Sequence, residues 1–291
     1  FDQNRQRTIV FGGDRDYGSI LGDVWEYDGT AWLPASASPP PPRRDGAMAY
    51  SAALRRVVLF GGNYAQGLDD TWEYDGNAWT EGPSAPPAMG YRTDHAMAYD
   101  SNRGRLVFYG GTQFFAMDDT WEYASAATGW TSGPRPRGGL TPRHHTAMAF
   151  DPSRGRLVLF GGFQYVPPGL GDTLTYDGAS WTSLQALSGP RARYGHTLVT
   201  DETRSRVLLF GGFDDARYGD LNDLWSLDAA GWNQLSAGGV LYSRAKHAAA
   251  YDSRRNLMIV FGGYTQAGPS QSLNDTWSFD GRSWVLGPAP P

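Results

Sequence analysis

Short hydrophobic stretches alternate with polar turns along the whole chain, and one order of stretches returns about every fifty residues. A clear copy occupies residues 43–79, in which an apolar run ends in a glycine pair, a variable loop follows, and Asp-Thr-Trp-Glu-Tyr-Asp-Gly begins at Asp70. The glycine pair recurs, with 49 to 51 residues between successive copies, at Gly12–Gly13, Gly61–Gly62, Gly110–Gly111, Gly161–Gly162, Gly211–Gly212 and Gly262–Gly263. Self-similarity with this period is typical of repeat proteins, whose units bury a hydrophobic face against their neighbours.

The periodicity within each unit predicts short strands. Residues 47–50 alternate small and large side chains over too few positions for a helix, and residues 56–60 form a largely apolar run ending at glycine. Turn residues such as Asp100 to Gly104 separate these two strands, and Asp-Gly pairs such as Asp75–Gly76 mark a second hairpin. A last short strand holds a tryptophan. Each unit is therefore predicted to be a four-stranded antiparallel meander.

Six units fill the chain as a single domain over residues 1–291, and the first of them is incomplete. The units cover approximately residues 1–35, 43–82, 92–133, 143–184, 193–236 and 244–287. Phe1 to Arg5 aligns with Tyr99 to Arg103, so the segment that would form the innermost strand of the first unit is missing before Phe1. We expect residues outside this sequence to supply that strand, which would make the chain part of a longer protein.

Composition excludes several kinds of chemistry. The chain has no cysteine, so disulfides, zinc-thiolate sites and a cysteine nucleophile are ruled out. A net charge of −5 argues against nucleic acid as a partner, and no apolar run approaches the length of a membrane-spanning helix. The sequence contains no His-Glu-x-x-His, phosphate-binding loop or nucleophile elbow. We therefore expect no cofactor, no metal, no nucleic acid and no membrane insertion.

The repeated motifs resemble the Kelch repeat over essentially the whole chain. The resemblance lies in the glycine pair after an apolar strand, the Trp-x-Tyr of the third strand (Trp72 to Tyr74) and the tryptophan seven residues on (Trp79). It implies an all-β fold, a six-bladed β-propeller around a central channel, with the inner strand of blade one absent from this chain. It also favours an extracellular or cell-surface location and a monomer. The activity stays open, because Kelch proteins include oxidases, sugar epimerases, glycan-related proteins and interaction platforms.

An arginine occupies one repeated position at the start of each inner strand. Its regularity favours a structural role, either bonding loop carbonyls or pairing with an equally regular aspartate before the third strand. The alternative is a cationic ring that binds an anion at the channel mouth. The arginines are Arg43, Arg92, Arg143, Arg193 and Arg244, and the aspartates are Asp23, Asp70, Asp119, Asp172, Asp223 and Asp275.

The histidines and two aspartates near these arginines give an enzyme hypothesis. His95, His196 and His247 share one repeat position and are interpreted as structural, whereas the pair His144 and His145 is irregular. Because neighbouring strand residues point to opposite sides, we expect that these two imidazoles cannot both face the channel axis. In the enzyme hypothesis Asp45 or Asp94 is a general base, an irregular histidine is the acid or a metal ligand, and the arginines hold an anionic sugar or small molecule in an epimerase- or lyase-like reaction.

The leading hypothesis is a binding or interaction module, because function usually lies on variable loops held by a rigid scaffold. In a Kelch-like propeller the loops between second and third strands and the segments between blades share one face, here called the loop face. Aromatic and charged residues in these loops are suited to a protein segment or a glycan, although such aromatics also cover loop backbone. The candidates are Arg15, Asp16, Tyr17, Tyr64, Phe114, Phe115, Tyr165, Asp215, Arg217, Tyr218 and Tyr264.

Overall fold

The protein is a six-bladed β-propeller of mainly four-stranded antiparallel sheets, which confirms the predicted fold. The computed structural model describes residues 1–15, 18–35, 38–135, 141–185, 188–239, 241–266 and 271–289. Within these ranges the helical content is a single 3₁₀ turn, η1 (Glu202–Arg204), and no helix has the length and apolar character needed to cross a membrane.

The strands follow the predicted order in every blade. Blades one to three contain β1 (Thr8–Phe11), β2 (Asp14–Arg15), β3 (Ser19–Ile20), β4 (Val24–Tyr27), β5 (Trp32–Pro34), β6 (Ala47–Ser51), β7 (Arg56–Phe60), β8 (Asn63–Tyr64), β9 (Gln66–Gly67), β10 (Thr71–Tyr74), β11 (Trp79–Glu81), β12 (Ala96–Asp100), β13 (Arg105–Tyr109), β14 (Thr120–Tyr123) and β15 (Trp130–Ser132). Blades four to six contain β16 (Ala147–Asp151), β17 (Arg156–Gly162), β18 (Leu170–Tyr176), β19 (Trp181–Ser183), β20 (Thr197–Asp201), β21 (Arg206–Phe210), β22 (Phe213–Asp214), β23 (Gly219–Asp220), β24 (Leu224–Asp228), β25 (Gly231–Leu235), β26 (Ala248–Asp252), β27 (Leu257–Phe261), β28 (Tyr264–Thr265), β29 (Gln271–Ser272), β30 (Thr276–Phe279) and β31 (Trp284–Leu286).

Five blades have four strands, and blade one has three. From the channel outward the four-stranded sheets are β6-β7-β10-β11, β12-β13-β14-β15, β16-β17-β18-β19, β20-β21-β24-β25 and β26-β27-β30-β31. Blade one consists of β1, β4 and β5, as the alignment of Phe1 with Tyr99 predicts. Four short hairpins, β2–β3, β8–β9, β22–β23 and β28–β29, extend loops of the loop face.

An aspartate at the end of the inner strand closes the first hairpin of a blade. In blade three, Asp100 Oδ1 accepts hydrogen bonds from the backbone N–H groups of Asn102 and Arg103 at 3.1 and 3.2 Å, and Oδ2 accepts from Arg103 Nε at 2.7 Å. The turn thereby satisfies its own backbone donors, which is why Asp followed by polar residues and arginine recurs at this place. The Arg103 guanidinium also donates to Glu122 Oε1 on the third strand at 2.5 Å.

The hydrophobic core lies between the blades. The apolar second strands are almost fully buried, and Phe60 of blade two packs against Phe108 and Trp130 of blade three with ring centroids 5.5 and 4.9 Å apart. Burial of one such large side chain stabilises the fold by roughly 2 to 3 kcal/mol. The tryptophans of the last strands are all buried: Trp32, Trp79, Trp130, Trp181, Trp232 and Trp284.

Buried hydrogen bonds between tryptophan and threonine join neighbouring blades at four contacts, one of which closes the ring. Trp130 Nε1 of blade three donates to Thr71 Oγ1 of blade two at 2.8 Å, and Tyr123 donates to Glu73 Oε1 at 2.7 Å. The same contact joins blade one to blade six, where Trp32 Nε1 donates to Thr276 Oγ1 at 2.9 Å. These pairs explain why threonine and glutamate accompany tryptophan and tyrosine in the third-strand motif.

The inner strands surround the central channel. β6, β12, β16, β20 and β26 pack side by side in that order, and β26 also contacts β1. At the end of the channel opposite the loop face, a cavity is lined at one repeated position by Phe1, Tyr50, Tyr99, Phe150, Thr200 and Tyr251. The start of each inner strand lies at the other end, and this places the segments between blades at the channel mouth.

Candidate functional site

The repeated arginines are buried beneath the loop face. All five are at most 2% exposed. In blade three, Arg92 Nη1 and Nη2 donate to the two carboxylate oxygens of Asp119 at 2.6 and 2.9 Å, and Nη1 also donates to the carbonyl oxygen of Gly110 at 2.9 Å. Equivalent pairs are Arg43–Asp70, Arg143–Asp172, Arg193–Asp223 and Arg244–Asp275. The predicted pairing is therefore present in five blades, and these guanidinium groups are not exposed to a ligand.

Each buried arginine fixes both ends of a loop on the loop face. The carbonyl that it binds belongs to the first glycine of the pair, where the loop begins, and the aspartate stands where the loop ends. The first glycine has a left-handed conformation, with φ of +65° at Gly110, and a Cβ there would lie 2.6 Å from the carbonyl oxygen of Arg143 in the next blade. The glycine is thus required both by its backbone conformation and by the close approach of the neighbouring blade.

Two residues beyond each arginine, four backbone hydrogen bonds link the segments between blades in an arc around the channel mouth. This channel collar consists of Asp45, Asp94, His145, Gly195 and Lys246, which all have left-handed φ values between 52° and 63°. Each backbone N–H donates to the carbonyl oxygen of the preceding collar residue, at 2.9, 2.8, 2.9 and 2.7 Å from Asp94 to Lys246. Aspartate and glycine tolerate this conformation better than most residues, which suits them to these positions.

The collar brings together three of the four residues of the enzyme hypothesis, and His144 stands beside it. His145 Nε2 lies 3.0 Å from Asp94 Oδ1, and the Nδ1 atoms of His144 and His145 are 2.5 Å apart. The two rings therefore contact each other instead of pointing to opposite sides of a strand, and the expectation that they cannot both face the channel axis stays a prediction. Both residues precede β16, which begins at Ala147, and the left-handed turn at His145 breaks the alternation of an extended strand.

Burial and neighbouring charges shift the pKa values of four side chains at the channel mouth. Partial burial raises the pKa of Asp45 to about 6, with a further contribution from the charge of Asp94 and opposition from Lys246 and Arg44. Burial also raises the pKa of Asp94, although Lys246 opposes it. Burial, followed by the charge of Lys246, lowers the pKa of His145 to about 3. Burial, and then the neighbouring His145 and Lys246, lowers the pKa of His144 to about 4, so both imidazoles are neutral at pH 7.

Aromatic rings surround His144 and His145. The ring of Tyr165 lies 4.6 Å from that of His144, and its hydroxyl is 2.5 Å from Thr112 Oγ1 of the preceding blade. Phe163 meets His144 edge-on at 5.7 Å, and Tyr194 lies 6.1 Å from His145. The loop of blade four and the segment before blade five therefore flank the histidines.

The exposed hydrophobic residues are concentrated on the loop face. Ten large hydrophobic side chains are exposed in the described ranges, and three of them, Leu33, Val285 and Leu286, lie on the outermost strands β5 and β31. The other seven lie in loops or in segments between blades and are 47% to 81% exposed: Tyr64, Phe114, Phe115, Tyr165, Val166, Tyr218 and Tyr242. Val166 and Tyr242 were not among the predicted candidates.

The remaining loop candidates vary in exposure. Arg15 and Arg217 are exposed, whereas Asp215 and Tyr264 are half-buried. Asp16 and Tyr17 lie outside the described residues. Bridges such as that between His144 and Phe163 connect the segments between blades to the starts of the loops, so both groups of residues belong to one face.

Comparison with known families agrees with this architecture. Residues 1–162 match the model described as the KLHDC2/KLHL20/DRC7 Kelch-repeats domain, which is more than half of the 291 residues. The chain belongs to the Kelch-repeat family. The resemblance stated from the glycine pairs and Trp-x-Tyr motifs is thereby confirmed. The chain matches no curated protein at a significant level. The Kelch propeller fold suggests a protein-interaction module.

On this Kelch propeller the described members of the two sets of candidate residues occupy one continuous face. The catalytic candidates Asp45, Asp94, His144 and His145 are at the channel mouth, and the exposed aromatic loops stand around it. Tyr165 belongs to both sets because it is 52% exposed and packs on His144. A ligand on the loop face would thus meet an apolar rim and a polar centre.

Proposed function

We propose that the loop face of this Kelch propeller recognises a segment of another protein. The observation that carries the proposal is the distribution of large hydrophobic side chains that are exposed within the described ranges, seven of ten of which lie on this face. Exposed apolar groups gathered on one face are typical of interaction sites, whereas single ones scattered over a surface are not.

The chemistry of the rim favours a peptide over a glycan. Phe114, Phe115 and Val166 carry no polar atom in the side chain, and Phe114 and Phe115 are 76% and 75% exposed. Such side chains bind best to apolar side chains of a partner, while a sugar requires hydrogen-bonding groups around each stacking ring. Phe114 also contacts Tyr91 edge-on at 5.8 Å, so the loop that presents it has aromatic support.

The polar centre of the face supplies mixed charge for orientation. Arg44 and Lys246 are exposed beside the acidic Asp45 and Asp94. A segment with apolar anchors for the rim and a polar or charged residue over the channel mouth would complement both parts. Aromatic anchors typically carry most of the affinity of such an interface, with about 2 kcal/mol or more for each one that is truncated.

Selection from a peptide display library, followed by titration of the selected peptides, tests the proposal. The Phe114→Ser/Phe115→Ser double variant and Tyr218→Ser are expected to weaken binding at least about tenfold, which corresponds to about 1.4 kcal/mol. Leu286→Ser is the matched control, because Leu286 is similarly exposed at 60% but lies on the outermost strand of blade six.

The control variant is expected to bind like the wild type. Equal binding by the wild type, the rim variants and Leu286→Ser would refute recognition by the loop face. A glycan array with the same four proteins provides a second arm. If only glycans bind, and the rim variants lose that binding, the loop face is retained as the site but the partner class proposed here is wrong.

A further inference from the structure

Three side chains at the channel mouth place nitrogen and oxygen ligands around one point. Ligand atoms of Asp94, His144 and His145 all lie within 4.8 Å of one another. The ligands of a tetrahedral zinc ion are about 3.4 Å apart, given Zn–N and Zn–O distances of about 2.0 to 2.1 Å. The Asp94 Oδ1 to His145 Nε2 distance of 3.0 Å is close to that value.

The two imidazoles have more lone pairs than the protein uses. His144 is 6% exposed, and its Nε2 is buried without a hydrogen-bond partner. His145 Nε2 approaches Asp94 but is not aligned with it as donor and acceptor. Two neutral imidazoles carry two lone-pair nitrogens, of which the contact between their Nδ1 atoms uses one. The other lone pair lies on the Nε2 atom of whichever histidine donates in that contact, and both Nε2 atoms are buried without a hydrogen-bond partner, which is costly for a polar atom.

The surrounding residues hold these groups in position. Thr93 Oγ1 donates to Asp94 Oδ2 at 3.1 Å, which leaves Oδ1 turned toward His145. The backbone N–H of His145 donates to the carbonyl oxygen of Asp94 at 2.8 Å, so the collar fixes the two residues relative to each other. Tyr165 and Phe163 pack on the ring of His144. Partners of this kind orient metal ligands in known sites.

We propose that Asp94, His144 and His145 bind a divalent transition-metal ion of the zinc class at the channel mouth. Two imidazoles and one carboxylate are a ligand set that suits Zn²⁺ and neighbouring first-row ions. Three protein ligands leave a coordination position for water or for a group of a bound molecule. Coordination by both imidazoles requires the contact between their Nδ1 atoms to open, because that contact uses one of the two lone pairs. This site is independent of the proposed recognition of a protein segment.

Two charged side chains near the three ligands have opposite effects on the affinity for a metal ion. The carboxylate of Asp45, on the neighbouring collar position, favours a cation, and the ammonium group of Lys246 disfavours it. Neither residue belongs to the three-ligand group. The exposed basic group is therefore useful in a test, because its removal is expected to strengthen metal binding while removal of any ligand weakens it.

Zinc titration of the whole chain, after dialysis against a chelator, tests the proposal. Isothermal titration calorimetry is expected to give one Zn²⁺ per chain, and Zn²⁺ is expected to raise the melting temperature. Asp94→Asn and His144→Gln are each expected to lower the affinity by at least about tenfold, the lower end of the range for groups that support metal ligands. Asparagine keeps the size of Asp94 and tolerates its left-handed conformation.

Control variants separate this site from general binding of metal. Asp45→Asn makes the same chemical change at the neighbouring collar position and is expected to alter the affinity far less than Asp94→Asn, and Lys246→Gln is expected to strengthen binding. The other three histidines, His95, His196 and His247, are at most 7% exposed and cannot supply a surface site. Melting temperatures in chelator show whether each variant folds.

Co²⁺ gives a second readout, because its visible absorption intensifies in a tetrahedral site. The wild type is expected to show these bands and Asp94→Asn is not. Absence of Zn²⁺ binding by the folded wild type would overturn the proposal. Binding that Asp94→Asn and His144→Gln leave unchanged would overturn it equally.

Discussion

Arg92 and Asp119 form a buried, two-pronged ion pair, with Nη1–Oδ1 and Nη2–Oδ2 distances of 2.6 and 2.9 Å and side chains only 0% and 8% exposed. Burial opposes ionisation of Asp119, but the hydrogen bonds and charge of Arg92 outweigh it and lower its pKa. Arg92→Met would leave a buried carboxylate and the Gly110 carbonyl without their partner. We expect it to lower the free energy of unfolding by about 3 to 5 kcal/mol, measured by denaturant unfolding.

The exposed pair Arg44–Asp14 is the control for this prediction. Its side chains are 43% and 44% exposed and its N–O distance is 3.1 Å. Solvent screens such a pair, so Arg44→Met is expected to cost less than about 1 kcal/mol. Similar losses from the two substitutions would show that the buried arginine is not a structural element.

Alanine substitutions at two glycines of blade three distinguish the cost of backbone strain from the cost of steric overlap. Gly104 and Gly110 have nearly the same φ, +66° and +65°, but a Cβ on Gly104 meets no atom closer than 3.8 Å, while one on Gly110 lies 2.6 Å from the Arg143 carbonyl oxygen. Gly104→Ala is expected to cost about 1 to 2 kcal/mol from the left-handed conformation alone.

Gly110→Ala is expected to cost at least about 2 kcal/mol more, because the backbone of the next blade must shift. The shift in melting temperature of both variants measures the difference. Equal shifts would mean that the blades separate easily at this contact.

The buried histidines are expected to make stability fall in mild acid. Burial, and then the charge of Arg244, lowers the pKa of His247 to about 3, although Asp275 opposes this. The folded protein therefore keeps His247 neutral while the unfolded chain takes up a proton below about pH 6.5. Stability from this group is complete above that pH and is lost progressively down to about pH 3, with about 2 kcal/mol lost at pH 5.

His247→Gln removes the titrating group and retains atoms that can hydrogen-bond to Thr197, which lies 2.9 Å from His247 Nε2. The difference in unfolding free energy between pH 7.5 and 5 is expected to be smaller in the variant than in the wild type. An identical pH dependence in both proteins would contradict the burial of a neutral imidazole.

The collar aspartate Asp45 is expected to lower stability as the pH rises, whereas His247 lowers it as the pH falls. Its pKa in the folded protein is raised to about 6, so the unfolded chain ionises first and stability is lost as the pH rises from about 4 to 6. Asp45→Asn is therefore expected to be stabilising at pH 7 and nearly neutral at pH 4. We expect a gain of at most about 1 kcal/mol, because the side chain is 33% exposed and partly screened. Unfolding at both pH values measures it, and destabilisation at pH 7 would contradict a raised pKa of Asp45 in the folded protein.

The repeated features of this Kelch propeller could be predicted from sequence, and the irregular site could not. The glycine pair recurs six times and the tryptophan of the third-strand motif five times, so the blade order and the pairing of Arg92 with Asp119 follow from alignment within the chain. The approach of His145 to Asp94 depends on where β16 begins and on one left-handed residue. Asp45, Asp94 and Gly195 are residue types that tolerate a left-handed conformation, and this was a sequence signal for the collar. His145 and Lys246 share the conformation without favouring it, so it is set by the backbone hydrogen bonds of the collar rather than by side-chain preference.

Because each buried arginine holds both ends of its loop, the length of the loop can change without a change in the fold of the blade. The arginine binds a glycine carbonyl 18 residues away in all five blades, whereas its aspartate partner lies 27, 27, 29, 30 or 31 residues away. The ends of the loop thus meet the same guanidinium whatever lies between them, and doubling the length of a flexible loop costs only about 0.6 kcal/mol in closure entropy. Loops of new length and composition can accordingly be grafted onto these five blades to change what the protein recognises, without redesign of the sheets.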